Sequence, residues 1–456
     1  MIMPEGLPEF KRFAKTIAPD PKVRGYVMRF VAAFLLHAGR MSASQVGQVL
    51  RSNPRHRGSV TRFLTDWDAA HATGSLRTAQ SMLLGMERKR GKWLFLLDQT
   101  YCGQQGKRTE NTFSTAHRGR RQKHAPKDQR KKKKQQAQRS CHCFVCGLLI
   151  TPSGYRVPLY RSYCTESYCA KQGREYRKQT ELAGDLIRSL PVPEGVPVVV
   201  LGDTAFDARP VHAACDQRGF TYVVSMNPER VLETAKPRGK VSSLVKGFLP
   251  NQFAPIKLVP GQGAYVAQRR VARCRLGRKV KSRTFYVHAE KINVHSLGEV
   301  RVIFSTTTSP KRTNSVEVKK TLLTNDLSLS VAEVVELYDL RWQIELFFKE
   351  LKSTLGFHQY RFRKFTCVER WVEMCLLTFL YLEWYRAQRR KRRGQPAKEN
   401  RWWLAQRAHG VAMAVRQAVD RHDLSTIARL TETKAGQCKL RRILYQALPL
   451  EFRMPP

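Results

Sequence analysis

Three carboxylates stand where chemistry on a phosphodiester needs them. Asp98 closes the apolar run Trp93-Leu-Phe-Leu-Leu, Asp203 closes Val198-Val-Val-Leu-Gly, and Glu345 lies in a helical stretch that also carries Tyr338, Arg341 and Lys352. Mg²⁺ is a hard ion that takes oxygen ligands and keeps several waters. Two such ions can activate a water and stabilise the leaving oxygen in phosphodiester cleavage. Arg341 is suited to grip a phosphate through its fork, and Lys352 as a point charge. The set reads as metal-dependent cleavage of nucleic acid, with Asp98, Asp203 and Glu345 as catalytic and metal-binding residues.

The spacing around Glu345 sets the geometry expected of its helix. Ser330-Val-Ala-Glu333 fits a capping box, so a helix is expected to start there. With roughly 100° of rotation per residue, Arg341, Glu345 and Lys352 all fall within about 60° of Tyr338 on one unbroken helix. Leu340, Ile344, Phe347, Leu351 and Leu355 form a separate apolar face. Glu336 and Glu350 lie more than about 100° from Tyr338, so both are set aside as ligands, and Glu350→Gln is expected to keep most activity. The competing reading is an amphipathic helix with a solvated charged stripe. Each Asp ends a run of buried-strand type, and the carboxyl ends of strands are where α/β sheets place ligands. Asp207 is the rival to Asp203, better placed as a helix N-cap.

The elements that must hold these residues alternate in kind. Residues 1–88 read as short helices: Pro21–His37, one after the Ser42-Ala-Ser-Gln45 capping box, and Ser59–Trp67 with arginines on or near it. That pattern fits a helical DNA-binding domain, or a plain bundle with a solvated basic face. Strands are expected at Trp93–Asp98, His142–Ile150, Tyr155–Tyr163, Val198–Asp203 and Phe220–Ser225, with helices near 175–190 and 207–218 between the later ones. This is an α/β order. Residues 227–325 carry Pro, Gly and strand-like runs and read as a β-rich insertion. The catalytic part would then be 89–226 with 326–365, followed by a helical region over 366–456.

Composition narrows the partner. The 456 residues are enough for roughly three domains, and the 42% apolar fraction supports a core. A formal charge of +46 calls for a polyanion, nucleic acid first and an anionic membrane surface second. Arg118–Arg139, which contains Arg130-Lys-Lys-Lys-Lys134, has almost no apolar residue and reads as an unstructured loop. Phosphate contact is favoured for it over a purely solubilising role. The start of the sequence lacks a secretory pattern, and no stretch reaches the roughly 20 apolar residues of a membrane span. Cys141, Cys143 and Cys146 fall on a strand-like run whose alternation separates Cys146 from the other two, which favours buried thiols over a zinc site. Gly261-Gln-Gly263 is too short for a dinucleotide fingerprint.

The spacing Tyr338-x2-Arg341-x3-Glu345-x6-Lys352, with Leu322-Leu-Thr-Asn-Asp-Leu upstream, resembles the signature of DDE transposases of the insertion-sequence-four family. The resemblance covers about residues 93–380. It implies a ribonuclease-H-like catalytic domain interrupted by a β-rich insertion before the Glu345-bearing helix, to which the residues' own pattern adds helical regions at both ends. It implies Asp98, Asp203 and Glu345 as ligands of two Mg²⁺ ions, with Mn²⁺ able to substitute. It implies binding of double-stranded DNA at terminal inverted repeats and at the target, strand transfer, a homodimer in a paired-end complex, no membrane partner, and a cytoplasmic, nucleoid-associated place in a bacterium. Tyr338, Arg341 and Lys352 would contact end DNA. Trp342 is a candidate for stacking on it, or a core aromatic. Some relatives hold a flipped base with a tryptophan of the insertion, and residues 204–340 contain none. Two other readings fit the same residues: a metal-dependent nuclease or domesticated derivative without strand transfer, and a DNA-binding protein with a dead catalytic fold, against which the intact triad argues.

Overall fold

The structure is a computed structural model and describes residues 8–36, 41–49, 56–104, 108–116, 138–232, 239–258, 283–310, 316–392, 428, 430–438 and 440. The basic segment read as a loop lies, for residues 117–137, outside the described residues.

The sheet is built around strand β1 (Trp93–Gly103). On one side it pairs antiparallel with β3 (Gln138–Ile150), which in turn pairs with β4 (Arg156–Ser162) and with the short β2 (Phe113–Ala116). On its other side β1 pairs parallel with β5 (Val198–Gly202), and β5 pairs parallel with β6 (Thr221–Ser225). The strands named from the sequence are present, but β1 runs further than expected. Asp98 is inside it, opposite Cys146 of β3. The parallel pairing stops at Leu96 opposite Leu201, so Asp98 still lies just past the carboxyl end of the parallel layer. Burial explains the composition: Val198–Gly202 is buried throughout and covered on both faces, hence its continuous apolar run. Helices α6 (Glu166–Gln172) and α7 (Gln179–Arg188) lead into β5, and α8 (Arg209–Gln217) connects β5 to β6.

The segment read as an insertion continues this same sheet. Strand β12 (Lys320–Thr324) pairs antiparallel with β6, and β11 (Gly298–Thr306), β10 (Arg283–Val294) and β9 (Ala254–Leu258) follow outward. Two-residue strands β7 (Val231–Leu232) and β8 (Gly239–Lys240) finish the edge.

Five helices precede the sheet: α1 (Pro8–Ile17), α2 (Pro21–Leu36), α3 (Ala43–Val49), α4 (His56–Asp66) and α5 (Ala69–Leu84). The first and last have no counterpart in the expected elements; α5 is capped by Asp68, whose carboxylate accepts from the Ala70 and His71 amides. A short α9 (Val241–Leu244) follows β8, and after β12 come α10 (Val331–Leu340), α11 (Trp342–Thr354) and the long α12 (Phe365–Arg392). The N-terminal helices bury their aromatics against α12: Phe10 on Tyr381, Phe13 on Trp384, and Phe34 edge-on to Trp371 at 5.1 Å between ring centres. Among the described residues no helix is long and apolar enough to cross a membrane.

Candidate active site

Pleating puts residues two apart on the same face of a strand. Asp98 and Asp203 each follow by two the paired residues Leu96 and Leu201, so they occupy neighbouring positions on adjacent strands. Gly202 lets the turn after Asp203 pack close on the sheet: a Cβ there would meet the Phe206 Cβ at 2.9 Å and a Val224 methyl at 3.3 Å. Asp203 then caps a single turn, Thr204–Phe206, accepting from the Ala205 amide at 3.0 Å.

The capping box at Ser330 forms as expected, with the Ser330 hydroxyl accepting from the Glu333 amide. The helix beyond it is not continuous. It breaks at Arg341, where the Arg341 amide bonds the Tyr338 carbonyl and the Ile344 amide bonds the Arg341 carbonyl, both at 3.1 Å. These three-residue closures are tighter than α-helical ones, so the uniform rotation assumed from the sequence does not hold from Tyr338 to Lys352. The apolar face does form: Leu340, Ile344, Phe347, Leu351 and Leu355 are all buried.

Arg341 joins the carboxylates. Its Nη1 lies 3.5 Å from Asp98 Oδ2 and its Nη2 2.9 Å from Glu345 Oε1. Burial is the largest influence on Asp98 and, reinforced by the nearby Asp203 charge, pushes its pKa up to about 6 against the pull of the Gln99 amide and Arg341; Glu345 adds a smaller upward push. Burial works against the Arg341 charge, but Tyr338, Asp98, Glu345 and Asp203 outweigh it and hold the guanidinium above its ordinary range. Lys352 reaches the same strand three residues past Asp98, where its Nζ donates to the Tyr101 carbonyl at 3.3 Å. The Tyr338 ring lies between the Lys320 ammonium at 5.8 Å and the Arg341 guanidinium at 5.9 Å. Its hydroxyl is buried with no hydrogen-bond partner among the described residues. Trp342 is 44% exposed, which excludes the core-aromatic alternative. Lys320 had no motif to mark it; its place beside Tyr338 comes from β12 packing against α10.

Two rivals take other roles. Asp207 is not an N-cap; α8 is capped at Ala208. The Asp207 carboxylate is buried, bonded to His212 Nε2 at 2.9 Å, Arg230 Nε at 3.1 Å and the Asn227 amide at 2.7 Å. It ties the loop after Asp203 to the start of the insertion. Glu350 is away from the site as expected, but it is no surface residue. It pairs with Arg156 at 2.8 Å in a buried cluster where Arg156 also holds Glu383 at 2.7 Å and Arg386 pairs with Glu383 at 2.6 Å. Glu350→Gln therefore removes one partner from this cluster, an effect on stability that its helical phase did not reveal. Cys141, Cys143 and Cys146 are buried thiols on β3, in no disulfide.

Asp98, Asp203 and Glu345 offer only carboxylate oxygens, the donor chemistry of a hard divalent cation. Among the described residues no three His, Cys, Asp or Glu side chains are arranged to hold an ion as they stand; the Arg341 guanidinium lies between two of the three carboxylates. Carboxylates that repel one another around a half-buried Asp98 are what an added cation relieves.

Residues 112–381 match the transposase DDE domain family, more than half of the chain. The chain belongs to that family. No curated protein matches it. The matched span takes in Asp203 and Glu345 and begins after Asp98. Family membership implies a nucleotidyl-transfer enzyme that moves DNA, and the DDE family generally uses divalent metal ions.

Proposed function

We propose that this DDE-family enzyme is a cut-and-paste transposase of the insertion-sequence-four type, which binds the terminal inverted repeats of its element, cleaves there and joins the ends to target DNA. The observation that carries this reading is the convergence of Asp98, Asp203 and Glu345 from two strands and a helix onto one charged site spanned by Arg341. The strand order β4-β3-β1-β5-β6, antiparallel through β1 and parallel beyond it, supports a ribonuclease-H-like core. In this reading residues 89–226 with 326–365 form the catalytic domain, 227–325 the insertion, and 1–88 and 366–456 the helical flanks.

Asp98, Asp203 and Glu345 would hold Mg²⁺, two ions in all, with Mn²⁺ as a substitute. Bound there, the ions supply an activated water and charge stabilisation at the leaving oxygen. The chain's own residues do the rest. Arg341 and Lys352 hold phosphates beside the scissile bond, one as a fork and one as a point charge. Tyr338 lines the same wall, and the exposed Trp342 offers a face for an unpaired base. A paired-end complex of two copies completes the reading, in the nucleoid of a bacterial cell.

The test is excision. A plasmid carrying a marker between the inverted repeats that flank the gene is incubated with the full chain and Mg²⁺. Excised marker and its joining to a second plasmid are expected. Cleavage without joining would reduce the reading to a nuclease or domesticated derivative; binding without cleavage would leave a non-catalytic DNA-binding protein.

A further inference from the structure

Both ion pairs that Asp98 and Glu345 make, among the described residues, come from one side chain. Arg341 uses Nη1 for Asp98 and Nη2 for Glu345, so its planar fork spans the two carboxylates. Lys352, the other cation of the signature, is turned to the Tyr101 carbonyl instead. Arg341 also sits at the break between α10 and α11, where short closures replace regular helical bonds on both sides. Its guanidinium has a second neighbour to lean on, the Tyr338 ring at 5.9 Å.

We propose that Arg341 is a positioning residue that stands in for the metal: it draws Asp98 and Glu345 together before an ion binds, and must leave them for the ion to enter. This rests on the metal-site reading above. A guanidinium cannot lose its proton in a protein, so it competes with a divalent ion at any working pH. A guanidinium and a divalent cation between the same two carboxylates would repel each other. Once displaced, Arg341 is a free fork beside the site, ready for a DNA phosphate. Metal and DNA then help one another, because each favours the same position of one side chain. Such linkage acts equally in both directions.

The experiment measures Mn²⁺ affinity of the full chain by titration calorimetry, without activity as a readout. Wild type, Arg341→Gln, Lys352→Gln and Glu345→Gln are compared with and without an unrelated duplex, with the duplex's own Mn²⁺ uptake subtracted. Without DNA, Arg341→Gln is expected to bind Mn²⁺ about tenfold more tightly than wild type, within the usual range of coupling between sites. Lys352→Gln removes the same charge nearby and is expected to stay within about twofold, since Lys352 touches neither carboxylate. Duplex is expected to tighten Mn²⁺ binding in wild type and to do so far less in Arg341→Gln. Arg341→Lys, which keeps the charge but not the fork, is expected between the two and serves if the Gln variant does not fold. If Arg341→Gln binds Mn²⁺ no more tightly than wild type, or Lys352→Gln gains as much, the stand-in role is wrong while the metal site stands. If wild type binds no Mn²⁺, or Glu345→Gln binds it as well as wild type, the metal-site reading itself fails.

Discussion

Asp98 carries the plainest consequence at the scale of single residues. Its pKa is raised to about 6 by burial first and by the Asp203 charge second. A carboxyl whose folded pKa is raised adds stability that is whole below its unfolded pKa and is lost as pH rises through the folded one. The metal-free protein is therefore expected to lose stability between about pH 4 and 6, on the order of 2 kcal/mol. Asp98→Asn should remove that loss and melt higher than wild type at pH 7 in EDTA; a lower melting temperature would contradict the charge repulsion. Protons and metal compete for the same oxygens, so Mn²⁺ affinity of wild type should fall as pH drops from 7 to 5. Asp98 and Asp203 stood out in the sequence because a carboxylate ending a buried apolar run is out of place on energetic grounds, and Glu345 because it falls in phase with Arg341 and Lys352. The role of Asp207 was not legible. Its partner Arg230 is remote in sequence and meets it only once the insertion folds back.

Among the elements, the helix pair α10–α11 shows what periodicity can and cannot deliver. The apolar face from Leu340 to Leu355 was set by spacing and is buried. The break at Arg341 was not visible, since no Pro or Gly marks it. Phase also placed Glu350 off the catalytic side but gave no sign that it lands on Arg156 from β4, because that contact depends on how α11 and α12 pack over the sheet. Glu350→Gln leaves Arg156 its Glu383 partner but gives the buried cluster one uncompensated positive charge, a loss below the about 3–5 kcal/mol of a fully unpaired buried charge. Glu350→Gln should thus lower the melting temperature markedly while Mn²⁺ affinity of the folded fraction stays at the wild-type value. An unchanged melting temperature would show that the Arg156 cluster does not contribute to stability.

For the whole molecule, charge and topology matter together. The insertion was legible as β-rich, but not that β12 would join β6 and make one sheet, since strand pairing across such sequence distances is not written in local pattern. The helices of residues 8–84 share their core with α12, so a fragment ending near residue 88 would expose Phe10, Phe13 and Phe34. Recognition of the element's ends is better tested in the full chain. There, deleting residues 118–137 of the basic segment should weaken binding to every duplex and flatten its dependence on salt, as expected when phosphate contacts and their released counterions are lost. Equal affinity and slope would make that segment a solubilising one.

The most direct test of the account is nicking of a labelled duplex carrying the element's end, with and without Mg²⁺, beside a gel-shift measurement on the same protein. Asp98→Asn, Asp203→Asn and Glu345→Gln are each expected to abolish Mg²⁺-dependent nicking while still binding the end, because the basic surface is untouched. Wild-type nicking by any one of these three variants would contradict the assignment of the three carboxylates as a single metal-holding site.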